Sequence, residues 1–127
     1  MNVATGMAMD YLVQSRDTLQ AAIDDPGFTE TLALMIDRVA EALTGGHKVL
    51  LAGNGGSAGD AQHIAGELVG RLNYDRAPLA AIALTTDTSV ITAIGNDYGY
   101  DRIFERQVTR CSAWFPPTRR TPSARSR

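Results

Sequence analysis

The sequence predicts an α/β fold, a doubly wound parallel sheet with crossover helices, preceded by two helices. Three observations carry that expectation. Apolar residues recur at helical spacing in two long segments ahead of any strand. Two short, continuous apolar runs, Lys48–Ala52 and Leu79–Leu84, have the length and composition of strands buried on both faces. A glycine-rich turn joins the first run directly to a further helical segment, so the order reads helix, helix, strand, helix, strand, helix.

From Met9 to Ile23, the residues Leu12, Val13, Leu19, Ala22 and Ile23 mark one face of an amphipathic helix, and Asp24-Asp25-Pro26-Gly27 breaks it. Between Thr29 and Thr44 the pattern returns at Leu32, Met35, Ile36, Val39, Ala40 and Leu43, and Gly45-Gly46 closes it. His47 and Lys48 stand at the N-terminal end of the first strand, opposite the edge where open α/β sheets bind ligands, and read as surface residues. After Gly53–Ser57 a helix runs to about Leu72, and Asn73–Pro78 is a polar turn. Thr85–Asp87 is a polar strand end, Ser89–Ile94 a short helix, and Gly95–Gly99 a turn that carries Asn96 and Asp97. A last helix begins at Asp101. Parallel sheets of this class need about four or more strands to cover both faces, so two strands predict only the N-terminal part of a larger domain.

The net charge of −2 is a cancellation. Residues 1–108 hold all 14 acidic residues and carry −7, whereas residues 109–127 hold five arginines, no acid and carry +5. This second segment is rich in proline, serine and arginine and shows no apolar period, so residues 1–108 are expected to be the domain and 109–127 an unstructured basic tail. Five charges over 19 residues without repeats are a weak nucleic-acid signal, and no nucleic-acid partner is expected. A reading frame truncated or shifted after Val108 is the other expectation for this break. A single cysteine, Cys111, excludes an internal disulfide, and no run of 18 apolar residues or leader-like opening is present. The expectation is a cytoplasmic protein with no membrane partner.

The chemistry-bearing stretch is Leu51–Glu67, with Gly53-Asn54-Gly55-Gly56-Ser57 at its centre. A glycine-rich turn between a buried strand and a helix lets backbone N–H groups approach an anion at the helix N-terminus. The spacing matches neither the Walker loop nor the dinucleotide G-x-G-x-x-G, because Ala58 stands where the last glycine would be. Ser57 is equally suited to cap the helix, with Asp60 as the partner of a capping box, and to touch a phosphate. At about 100° per residue, Asp60, His63, Glu67 and Arg71 share one ionisable stripe beside an apolar face of Ala61, Ile64, Ala65, Leu68 and Val69. His63 and Glu67, four apart, can converge on one divalent metal or on one substrate carbon, or they can form a solvated pair. Asp87, Asn96 and Asp97 can reach the same sheet edge and meet sugar hydroxyls, or the Asn-Asp pair can be only a turn.

The stretches AGNGGSAGDAQHIAGELVGRL and ALTTDTSVITAIGNDYGYDRIFERQV resemble the sugar isomerase (SIS) fold, and within it the phosphoheptose isomerases, from about Tyr11 to Val108. The resemblance implies a flavodoxin-like three-layer αβα sheet. It implies conversion of sedoheptulose 7-phosphate to D-glycero-D-manno-heptose 7-phosphate, a ketose-to-aldose isomerisation through an enediol. Carried onto this sequence, Asn54, Gly55 and Gly56 line the substrate and Ser57 contacts its phosphate. His63 and Glu67 are zinc ligands, with Glu67 also moving the proton, and Asn96 and Asp97 touch substrate. Asp60 and Arg71 have supporting positions. One Zn²⁺ per subunit, a sugar-phosphate substrate and a homotetramer follow from the same resemblance. Its second phosphate loop and the Gln and His that complete the zinc site do not occur here, and the resemblance is expected to stop at Val108. A non-catalytic SIS relative, a phosphosugar binder or an adaptor for the replication initiator, is the alternative, against which the retained His63 and Glu67 weigh.

Overall fold

The computed structural model describes residues 2–114, and they fall into two compact units, residues 2–39 and 40–114. In the first unit, α1 (Val3–Asp24) begins well before Met9 because the Asn2 side chain accepts a hydrogen bond from the Ala4 N–H at 3.0 Å. It ends at Asp25, and α2 (Pro26–Thr44) starts at once. Asp25 does both jobs. Its Oδ1 accepts from the N–H groups of Gly27 (2.9 Å) and Phe28 (3.3 Å), and Pro26 fills the first helical position, where a missing N–H costs nothing. The expected break at residues 24–27 is therefore a single-residue junction. No residue of α1 or α2 is buried, so the apolar rows read from the sequence, Leu12, Leu19 and Ile23 among them, face outward.

In the second unit, β1 (Val49–Leu51) and β2 (Ala81–Ala83) pair in parallel, with Val49 opposite Ala81, Leu50 opposite Ile82 and Leu51 opposite Ala83. Both strands are shorter than the apolar runs that predict them. The bonds Val49 N–H to Ala80 O (2.9 Å) and Leu84 N–H to Leu51 O (2.8 Å) extend the ladder at its ends. Between the strands runs α3 (Gly56–Val69), which packs on both through Ala61 and Ala65, two buried alanines small enough to bring helix and sheet close. Of the apolar face expected for α3, Ile64 and Val69 stay exposed, and β1 is half-buried along its length rather than covered on both faces.

Beyond β2, α4 (Thr88–Tyr98) leads through a short 3₁₀ turn (Tyr100–Arg102) into α5 (Ile103–Trp114). Ala83, Leu84 and Ile103 join the α3 alanines in the core. The Gln107 amide secures α5 to the end of β2 by donating to the Leu84 carbonyl (3.1 Å). Two expectations are corrected here. Gly95 continues α4 instead of ending it, so Asn96 and Asp97 lie on a helix, and the break comes at Gly99, whose φ is 98°. The composition break at residue 109 is not a structural one, because α5 runs through it to Trp114. Ile103, Gln107 and Cys111 lie four apart on one inward-facing row, and the Thr109 hydroxyl donates to the Glu105 carbonyl. Residues 115–127 of the expected tail lie outside the described residues.

Candidate functional site

At the C-terminal end of β1 the chain turns through Gly53–Ser57 into α3, and the glycines there have different physical reasons. A Cβ at Gly53 would collide with the Ser57 main chain and lie 2.7 Å from its Oγ, so only glycine lets the strand end pass under the first helical turn. Gly55 has φ 55°, which disfavours a side chain. Gly56 has neither constraint, and a Cβ at Gly55, Gly56 or Gly59 would meet no atom within 4 Å. Above the start of α3 lies open space.

Ser57 is not the helix cap. The helix begins one residue earlier, with Gly55 in the cap position, and no side chain bonds to it there. Instead the Ser57 hydroxyl folds back on the loop, donating to the Asn54 carbonyl (2.7 Å) and accepting from the Asn54 N–H (2.9 Å). Its one proton is thus committed within the loop, and contact with a phosphate needs either a rotated hydroxyl or a donor on the ligand. The Asn54 side chain is held from another direction: its Oδ1 accepts from the Tyr100 hydroxyl at 2.8 Å. This bond joins the glycine loop to the segment after α4, which the sequence reading placed nearby only through Asn96 and Asp97. Tyr100 itself was overlooked, because a contact spanning 46 residues leaves no periodic signal.

About two turns into α3, His63 Nε2 and Glu67 Oε1 stand 3.8 Å apart, with side chains 77% and 38% exposed. Two ligands of a tetrahedral zinc at ordinary bond lengths lie about 3.3 Å apart, so a small rotamer adjustment lets this pair share an ion. No group of three His, Cys, Asp or Glu side chains suited to a metal occurs among the described residues, so the pair can supply two ligands of such a site. Asp60 and Arg71 are exposed on the same helix and its end. Asn96 Nδ2 donates to Asp97 Oδ1 (3.1 Å), so the exposed pair is bonded internally. Asp87 is engaged as the cap of α4, accepting from the Val90 N–H at 3.0 Å.

Two further interactions brace the site, and neither was visible in the sequence. The buried Thr85 hydroxyl, at the end of β2, accepts from the Gln62 amide (3.2 Å) and donates to the Ala58 carbonyl (3.3 Å), pinning the first turns of α3. At the far end of α3, the Arg76 guanidinium donates to the carbonyls of Glu67 and Leu68, both at 2.9 Å. That cation satisfies two terminal carbonyls of the helix that carries the His–Glu pair.

The family profile of the SIS domain matches residues 10–112. The chain belongs to the SIS-domain family. The match runs past Val108, where the resemblance in the sequence was expected to stop, in keeping with the continuous α5. Among curated proteins, the SIS chain is 52% identical over 99 residues to the phosphoheptose isomerase of Bradyrhizobium sp. (strain ORS 278), covering 78% of this chain and 50% of that one. It is 71% identical over 70 residues to the phosphoheptose isomerase of Aquifex aeolicus, covering 55% of this chain and 37% of that one. The phosphoheptose isomerase structure from Neisseria gonorrhoeae superimposes with a TM-score of 0.73 at 39% identity, over 85% of this chain and 54% of the other. The Francisella tularensis structure does so with 0.71 at 34% identity, over 85% and 55%. The SIS chain therefore spans about half the length of the curated relatives it matches. The parallel pair with its crossover helix is the N-terminal part of the SIS fold, as the sequence predicts.

Proposed function

We propose that this protein is a phosphoheptose isomerase, interconverting sedoheptulose 7-phosphate and D-glycero-D-manno-heptose 7-phosphate in the cytoplasm as a homotetramer. The observation that carries the reading is the shared helix: α3 starts at an open glycine loop and presents His63 and Glu67 within its first three turns. The curated relatives named phosphoheptose isomerase support the substrate.

In this reading Asn54, Gly55 and Gly56 line the sugar phosphate, and Ser57 meets its phosphate after releasing the Asn54 carbonyl. Asn96 and Asp97 hold hydroxyls from α4. Glu67 takes the proton from C1 of the ketose and returns it at C2, a role that suits its half-buried carboxylate. His63 and Glu67 would hold one Zn²⁺ per subunit together with ligands beyond these two, and a zinc bound there would supply Lewis-acid polarisation of the substrate oxygens.

The test is isomerase activity and zinc content of the purified protein and of Glu67→Gln. Loss of turnover by about a hundredfold or more, with metal lost on dialysis, is expected if Glu67 both moves the proton and ligates. Full activity in Glu67→Gln sinks the assignment. Sugar-phosphate binding with neither turnover nor metal points to the non-catalytic SIS relative instead.

A further inference from the structure

We propose that Tyr100 is a positioning residue that orients the Asn54 amide so that its NH₂ group, and not its carbonyl, is offered to the ligand. The inference deepens the functional reading above and rests on it. Asn54 is fixed at three atoms. Ser57 Oγ holds its backbone N–H and carbonyl, at 2.9 and 2.7 Å, and the Tyr100 hydroxyl holds its Oδ1 at 2.8 Å. A side-chain amide has one acceptor end and one donor end. With the acceptor end on the phenol, the donor end is the one left to meet an incoming oxygen. An acceptor-rich ligand, the hydroxyl, carbonyl or phosphoryl oxygen of a sugar phosphate, is what that geometry selects.

The phenol is itself held by the backbone behind it. Gly99 turns the chain at φ 98°, where a Cβ would lie 2.8 Å from Asp101 Oδ1, and the 3₁₀ turn closes with Arg102 N–H on the Gly99 carbonyl (3.2 Å). Ile103, only 2% exposed, anchors the turn in the core. Tyr100 is 64% exposed, so its ring is not needed to fill the interior, and among the described residues its distant polar contact is with the loop. Tyr100→Phe removes the hydroxyl that holds Oδ1, so the amide is free to flip and turn its carbonyl toward a ligand oxygen.

The experiment measures sedoheptulose 7-phosphate binding by calorimetry to the full chain, Tyr100→Phe, Asn54→Ala and the double variant, with the Asn54 side-chain amide resonances followed in the unliganded proteins. Tyr100→Phe is expected to bind about three- to tenfold more weakly with an unchanged unfolding midpoint, and to have no further effect once Asn54 is alanine. Its Asn54 NH₂ signals should shift and average. Unchanged affinity in Tyr100→Phe, or losses that simply add in the double variant, overturns the proposal, because the phenol then acts elsewhere. If the unaltered chain binds no sugar phosphate, the functional reading fails. Unmoved Asn54 signals in Tyr100→Phe then overturn the positioning as well, and shifted signals uphold it.

Discussion

A methyl group is the smallest probe of the loop, and the two glycines at its ends answer it differently. At Gly56 it enters empty space, and at Gly53 it runs into the Ser57 main chain. Gly56→Ala is therefore expected to leave stability within about 0.5 kcal/mol, while weakening sugar-phosphate binding about tenfold by standing in the ligand's path. Gly53→Ala is expected to cost about 3 kcal/mol of stability, since backbone, not a flexible side chain, must give way. Thermal unfolding alongside calorimetry on both variants checks the contrast, and equal stability losses would remove the case for an open ligand shelf over Gly56. Part of this was readable in advance. The run of glycines announced a close backbone approach, and His63 and Glu67 were paired by spacing alone. Of the two roles open to Ser57, capping and phosphate contact, the first does not occur, because Gly55 takes the cap position and leaves the hydroxyl to staple the loop.

Among the elements, α3 carries the site and is held at both ends by groups outside itself, Thr85 at its start and Arg76 at its finish. Arg76→Ala removes charge-assisted bonds to two helix carbonyls and is expected to destabilise the fold by about 1.5 kcal/mol, with Arg76→Lys recovering less than half because an ammonium cannot span both oxygens as the planar fork does. Denaturant unfolding of the pair measures this, and a silent Arg76→Ala would show that water replaces the guanidinium. Element types and order followed from hydrophobic period and breakers. Boundaries did not, and the helix misses came from caps and a tolerated glycine that the apolar period does not register. Asn2 and Asp25 accept from helix N–H groups and lengthen or join helices, and Gly95 sits within α4 because the chain tolerates glycine there until Gly99 forces the turn.

For the whole molecule, the outward apolar rows matter most. Leu12, Leu19 and Ile23 on α1, with Leu32, Met35 and Ile36 on α2, are all exposed in a chain of 13.6 kDa. Rows of this kind are the surface that the proposed homotetramer would have to cover. Sedimentation of the purified protein should show species heavier than the monomer, and Leu19→Glu should shift them toward it. A monomer at every concentration tested would refute the assembly. The sequence could show that these helices were amphipathic, but which surface covers an apolar stripe depends on contacts no periodicity encodes. The charge break after Val108 misled for the opposite reason, since net charge reports on solvation and α5 continues on the strength of the row Ile103, Gln107 and Cys111.

The double staple from Ser57 to Asn54 bears on kinetics as well as on shape. A glycine-rich segment is commonly pictured as a lid that orders when its guest arrives, but here both main-chain groups of Asn54 are already bonded and Gly53 is wedged beneath the helix. The conformational entropy of the loop backbone is largely settled when the chain folds, so docking needs only the Ser57 hydroxyl to turn from the Asn54 carbonyl to the ligand while the Asn54 N–H stays bonded. Deuterium uptake at the Asn54 amide should accordingly be slow for an exposed turn and nearly the same with and without sugar phosphate. Fast uptake that the ligand suppresses would instead mean a loop ordered only by its guest.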